Sequence, residues 1–228
     1  MATKKKIVID AGHGGKDSGA VGNGLLEKNI TLALALACRD YLLDTYSGLD
    51  VKLTRETDVF IELSERANIA NTFGADVFQS FHINANPNAS ANGFETYIYN
   101  GFSNGATKEK AEKLQYAVHK AAAARVNMND RGMKEANYAV VRETNMSAIL
   151  TESGFITNKL DADKMKTPQW IQATAQGHAE GLAAFLGLEK KEVPAAPAAP
   201  AAAAELSDVA ANSPYIDAIL WAINSGVM

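Results

Sequence analysis

The chain has 228 residues, enough for one sizeable core with roughly forty residues left over for a linker and an appendage. Its 22 basic residues are set against 26 acidic ones, so neither nucleic acid nor an anionic membrane has an electrostatic reason to bind it. A single cysteine, Cys38, excludes an internal disulfide and a cysteine-rich zinc ribbon, and His13, His82, His119 and His178 are the only imidazoles for a metal site.

In chain order, Lys4-Lys5-Lys6 is followed by only Ile7-Val8-Ile9 before Asp10, where an export signal needs about 7–15 apolar residues. The longest charge-free hydrophobic stretch, Ile30–Cys38, is far short of the roughly 20 residues that span a bilayer. The expectation is a chain made in the cytoplasm that does not leave by the general secretory route. Lys6–Asp10 reads as a buried strand running into the glycine-rich loop Ala11–Gly24. Ile30, Ala33, Leu34, Ala37, Tyr41 and Leu42 form a helical stripe over 29–46. Asp50–Thr54 is a second strand, and Leu63–Phe73 a second helix stopped by Gly74. Val77–Ile83 and Glu95–Tyr99 read as strands, and Lys108–Val126 as a long helix followed by a turn at Asn127–Gly132. Tyr138–Val141 and Ala148–Glu152 read as further strands, and Pro168–Leu186 as a closing helix. Such alternation predicts an α/β fold: one mostly parallel central sheet with helices on both faces.

Sheets of this kind place their chemistry at the carboxyl ends of strands. There the first strand delivers His13, in Asp10-Ala11-Gly12-His13-Gly14-Gly15, and the third delivers His82. Glu27 stands at the mouth of the first helix, and Glu152 closes the last strand. Two imidazoles and one carboxylate with an open fourth position are the ligand set of a catalytic zinc site, and a further carboxylate suits proton transfer. A glycine-rich anion-binding loop at a helix mouth explains the same residues, although Gly14-Gly15-Lys16-Asp17 lacks the Lys-Ser/Thr ending of a phosphate loop. On residue types and spacing alone both readings stand.

Four separated blocks then carry a resemblance. Ile7-Val8-Ile9-Asp10-Ala11-Gly12-His13-Gly14-Gly15, Glu27, Ser80-Phe81-His82-Ile83-Asn84-Ala85 and Glu152-Ser153-Gly154-Phe155-Ile156-Thr157-Asn158 together resemble the zinc-dependent N-acetylmuramoyl-L-alanine amidases of the amidase-3 type. The similarity runs in order over roughly residues 5–188, with Thr54-Arg55, Leu63-Ser64-Glu65-Arg66-Ala67 and Gly74-Ala75-Asp76 in agreement between the blocks. Ser153 stands where many relatives carry an aliphatic or small residue. The resemblance implies one Zn²⁺ per chain held by His13, Glu27 and His82, with Glu152 as the catalytic base. It also implies bacterial peptidoglycan as partner and cleavage of the bond from the lactyl group of N-acetylmuramic acid to L-alanine.

Further residues carry lesser expectations. Asn84 and Arg131 are candidate substrate contacts, and the asparagine-rich loop 84–92 is a candidate rim of the groove. Glu95 reads as an exposed strand carboxylate, with support of the site as its alternative. His119 and His178 read as surface or partly packed helix residues, and Cys38 as a buried, inert thiol.

The Pro-Ala-Ala repeat of 193–204 breaks the composition and favours extended polyproline geometry. The expected layout is therefore a catalytic domain at 1–188, a linker at 189–204 and a short helical tail at 205–228. The tail, Leu206-Ser207-Asp208-Val209 through Met228, resembles the opening half of an S-layer homology motif. That resemblance implies attachment to secondary cell-wall polymer. The function expected overall is that of a phage or prophage endolysin, made without a signal and acting at the cell wall after release, or a secreted enzyme whose signal has been removed. A wall-binding protein with a merely structural zinc and a zinc amidase acting on soluble peptides are the alternatives.

Overall fold

The computed structural model describes residues 4–192; the rest of the expected linker and the tail at 205–228 lie outside the described residues. The elements run β1 (Lys5–Ala11), β2 (Val21–Gly22), β3 (Leu25–Leu26), α1 (Glu27–Thr45), β4 (Leu49–Leu53), α2 (Leu63–Phe73), β5 (Val77–Asn84) and β6 (Phe94–Tyr99). Then come α3 (Gly105–Val126), β7 (Asp130–Ala136), α4 (Ala139–Arg142), β8 (Ser147–Phe155), α5 (Lys159–Met165) and α6 (Pro168–Leu186).

Six strands form one sheet in the order β4-β1-β5-β8-β6-β7. The four strands β4, β1, β5 and β8 are mutually parallel. β6 runs antiparallel to β8 and parallel to β7. The mostly parallel sheet expected from the sequence is present, with helices on both faces. Alternate residues of each strand serve the two faces. Ile7, Ile9, Phe81, Ile83 and Ile149 are buried in one cluster with Leu34 and Leu42 of α1, Leu114 and Val118 of α3, and Leu182 of α6. Val8, Phe78, Ala148 and Leu150 meet Ala70 of α2 and Val140 and Val141 of α4 on the other face.

The two faces are covered unequally. Three helices of 19, 22 and 19 residues lie on the first. The second has the 11 residues of α2 and the 4 of α4, which together screen the strand middles around Phe78 and Leu150. The strand ends beyond them, with His82 and Glu152 on the same face by parity, keep partial exposure.

Local signals account for most boundaries. Gly74 and Gly187 close α2 and α6 in the left-handed conformation. Thr167 caps α6 through its hydroxyl, with Pro168 next to it. Two expectations fail. Tyr138–Val141 is not a strand: Ala139–Arg142 is a single helical turn, in which the β-branched Val140 and Val141 are buried against α2. The turn expected at Asn127–Gly132 gives way at Asp130 to β7, an edge strand. Its polar sequence, Asp-Arg-Gly-Met-Lys-Glu-Ala, hides the strand. After α6 the chain stays bonded to the end of α1, with Ser47 N–H donating to Glu189 O at 3.0 Å and Lys191 N–H to Thr45 O at 2.8 Å.

Candidate active site

The carboxyl end of β1 turns at His13, which adopts a left-handed backbone, φ 61°. Two arginines hold this turn from beneath. Arg66 pairs with Asp10 at 2.8 Å and donates to the carbonyls of Ala11 and His13, each at 2.7 Å. Arg55 donates to the carbonyls of Ala11 and Gly12, each at 2.9 Å. Asp10 is fully buried, yet the charge of Arg66 and hydrogen bonds from Ser80 and Thr54 outweigh burial and keep its carboxyl below the ordinary range. Gly12 cannot carry a side chain, since a Cβ there would lie 2.5 Å from Cε1 of His82.

His13, Glu27 and His82 converge. One ligand atom from each lies within 4.8 Å of the others, the single such trio of histidine, cysteine or acidic side chains among the described residues. Glu27 Oε1 sits 3.1 Å from His13 Nε2 and 3.0 Å from His82 Nδ1. The backbone amides of Ile83 and Ala20 donate to its two oxygens at 2.9 and 2.7 Å. Burial alone would raise the proton affinity of Glu27, but the two imidazoles hold its carboxyl far below the usual range. Behind the trio, Asp17 Oδ2 contacts His13 Nδ1 at 2.8 Å. Such a contact fixes the ring and leaves Nε2 to face Glu27.

Glu152 stands one strand away. Parallel pairing puts it directly opposite His82, and antiparallel pairing puts Glu95 directly opposite it on the other side. Its Oε2 is buried without a hydrogen-bond partner among the described residues, while the residue as a whole remains partly exposed. Burial, then the negative charges of Glu27 and Glu95, push its carboxyl well above the ordinary value. Next to His13 and His82 lies a cavity of about 380 Å³ lined by Phe60, Ile61, Leu63, Tyr138 and Leu150, among others.

Several residues differ from expectation. Glu95 is buried, not exposed, because β6 lies between two other strands. Asn84 donates to Glu95 at 2.8 Å, and Arg131 does so from β7 at 2.7 Å. Both candidate substrate contacts therefore meet at Glu95, one strand beyond Glu152. His119 and His178 are buried as well. His119 bridges Thr96 and Asp130, and His178 bridges Thr174 O and Thr151. Cys38 is buried as expected. Asp17, Arg55 and Arg66 carry the site's support and were not singled out for it from the sequence. Asp17, four residues after His13 in a loop of glycines, was the readable signal.

The family model for N-acetylmuramoyl-L-alanine amidases, amidase-3 type, matches residues 7–184. The chain belongs to this family. It is 45% identical over 185 residues to the sporulation-specific N-acetylmuramoyl-L-alanine amidase of Bacillus subtilis strain 168, covering 81% of this chain and 69% of that one. Identity to the endolysin of Bacillus phage SPP1 is also 45%, over 188 residues, covering 82% and 68%. Among solved structures, the catalytic domain of the amidase CwlV from Bacillus (Paenibacillus) polymyxa var. colistinus superposes with a TM-score of 0.75 at 37% identity. That match covers 81% of this amidase and 99% of that domain. The α/β sheet described above is thus the fold of a known amidase, and this chain is an amidase acting on peptidoglycan.

Proposed function

We propose that the amidase hydrolyses the amide between the lactyl group of N-acetylmuramic acid and the stem-peptide L-alanine, with one Zn²⁺ held by His13, Glu27 and His82. The observation that carries this reading is the placement of Glu152 directly across from His82, with a buried oxygen that has no hydrogen-bond partner among the described residues. The donor set fits the metal: two imidazoles, a carboxylate held ionised and Asp17 behind one ring match a three-ligand catalytic site. A structural zinc would need a fourth protein ligand, and the described residues bring three together. When bound, Zn²⁺ supplies a Lewis acid that polarises a carbonyl and acidifies water.

Glu152 then has one task in two halves. It takes a proton from the water whose oxygen bonds to the lactyl carbonyl carbon, and it returns that proton to the alanine nitrogen as the C–N bond breaks. Burial and the neighbouring Glu27 and Glu95 raise its proton affinity, which suits a group that has to take up a proton. His13 and His82 would hold Zn²⁺ through ring nitrogens, and Arg55 and Arg66 keep the His13 turn in place.

The wider layout belongs to the same proposal: catalysis within 1–188, a spacer at 189–204, and a tail at 205–228 that attaches the enzyme to secondary cell-wall polymer. We further place its origin with phage or prophage lysins, acting at the cell wall after synthesis in the host cytoplasm. The test is turnover of a soluble muramoyl peptide, with the new amine terminus identified as L-alanine. Chelation should abolish turnover and added Zn²⁺ restore it. Release of a different terminus, or activity indifferent to chelation, would overturn the reading.

A further inference from the structure

A second charged cluster adjoins the proposed reaction centre, and its surplus is positive. Glu95 fills both of its oxygens. Oε1 accepts from Asn84 Nδ2 and from the Tyr97 hydroxyl, each at 2.8 Å. Oε2 accepts from Arg131 Nε at 2.7 Å and from Lys134 Nζ. A carboxylate offers about four acceptor sites, so Glu95 has none left for a ligand. Burial would raise its proton affinity, but the bonds from Lys134 and Arg131 hold the carboxyl below its usual range. One negative charge therefore serves two cations.

Those cations reach solvent. The Arg131 and Lys134 side chains are 32% and 36% exposed, against 2% for Glu95. Arg131 lies over the Phe155 ring at 4.8 Å and makes a long 3.4 Å contact from Nη1 to Asn92 O. Its Nη2 has no hydrogen-bond partner among the described residues. A guanidinium stacked and tethered in this way loses little freedom when it meets a planar anion. The other acids of β7 have partners elsewhere: Glu135 pairs with Lys108 of α3 at 2.8 Å, and Asp130 Oδ1 meets His119 Nε2 and accepts from Gly132 N–H, so neither is paired with Arg131 or Lys134.

Position gives the ligand its chemistry. His82, Glu152 and Glu95 face one another across three adjacent strands, with Arg131 and Lys134 reaching in from the fourth. Neighbouring strands lie about 4.8 Å apart, so Glu95, where the two cations meet, stands one and a half spacings, roughly 7 Å, from an amide held between His82 and Glu152. A peptide advances at most about 3.3–3.6 Å per residue. A group at that distance belongs to the second residue after the scissile bond.

We propose that Arg131 and Lys134 form a carboxylate subsite for the leaving peptide, which recognises a free carboxylate on its second residue. Glu95, with Asn84 and Tyr97, is the positioning residue that holds the two cations side by side. This subsite rests on the amidase reading above and extends it to substrate choice.

The experiment compares two soluble muramoyl peptides that differ only at the second residue, one with a free carboxylate and one with a carboxamide. The zinc-loaded full chain should prefer the carboxylate by about tenfold or more in kcat/KM, the size expected of a charge-assisted hydrogen bond. The preference should lie mainly in KM. Arg131→Gln and Lys134→Gln should each shrink it, and Arg131→Lys should retain part of it. The ratio is taken on one preparation, so the folded fraction cancels, and the parent enzyme alone already tests the idea. Equal kcat/KM for both peptides, or a preference untouched by either substitution, overturns the subsite and leaves the amidase reading standing. Cleavage of neither peptide overturns both.

Discussion

His82 and His178 sit on opposite faces of one sheet and have opposite uses. His178 is fully buried among α6, β8 and β5, where Thr174 O takes one ring nitrogen and Thr151 the other, at 2.7 and 3.1 Å. Its protein partners satisfy it, and burial pushes its pKa down to about 4. His82 instead shares Glu27 with His13, on a face where α2 and the single turn of α4 leave the strand ends open. Glu152 beside it keeps an orphan oxygen. A buried imidazole whose partners are all in place is structure. An imidazole aimed at a shared carboxylate, next to an unsatisfied acid, is chemistry.

The largest effects separate these two directly. His82→Ala should remove bound zinc and turnover together, read by metal analysis of the purified protein, because one of the three proposed ligands is gone. His178→Ala should leave zinc stoichiometry intact in the folded protein. It should cost about 2 kcal/mol or more, from stranded polar partners and a cavity, seen as a thermal midpoint several degrees lower. Equal zinc loss in both variants would erase the distinction between the faces. A smaller effect is expected at Asp17, which touches His13 but no other member of the trio. Asp17→Asn should weaken zinc about 10–100-fold, measured by competition with a chelator of known affinity; an unchanged affinity would mean that Asp17 does not orient the ring.

The last effect is read in the pH dependence of stability. His178 falls from an ordinary 6.5 to about 4 in the folded chain. Above pH 6.5 it is neutral in both states and adds no slope. As pH drops from 6.5 towards 4, the unfolded chain takes up a proton that the folded chain refuses, so stability is lost by on the order of 1 kcal/mol per unit. His178→Gln should flatten this part of the curve, seen in urea midpoints of both proteins between pH 4.5 and 7.5. Parallel curves would mean that the buried imidazole does not titrate as its surroundings dictate.

The same contrast explains what the sequence could and could not reveal. β1, β5 and β8 are short apolar runs, with His13 two residues beyond β1 and His82 and Glu152 near the carboxyl ends of β5 and β8, so strand ends and site residues are legible together. Glu95 was misread because its burial follows from sheet order. Its partners Arg131 and Lys134 come from 36 and 39 residues away, on a polar edge strand without apolar alternation. His178 was misread because α6 buries a broad arc, Thr174 through Ala183, rather than a narrow stripe. Val140 and Val141 favour a strand by propensity, yet one helical turn buries both against α2. Local pattern reports which residues want burial; tertiary order decides which face receives them.

The central claim is a division of labour between two acids, Glu27 for the metal and Glu152 for the proton. The measurement is rate and bound zinc, side by side, for Glu152→Gln and Glu27→Gln. Glu152→Gln should keep one zinc per chain and lose about 10²–10⁴-fold in kcat, the usual contribution of general acid–base catalysis. Glu27→Gln should lose the zinc itself, since a neutral amide is a poorer ligand than a carboxylate. A Glu152→Gln enzyme at parent rate, or one without metal, would contradict the account.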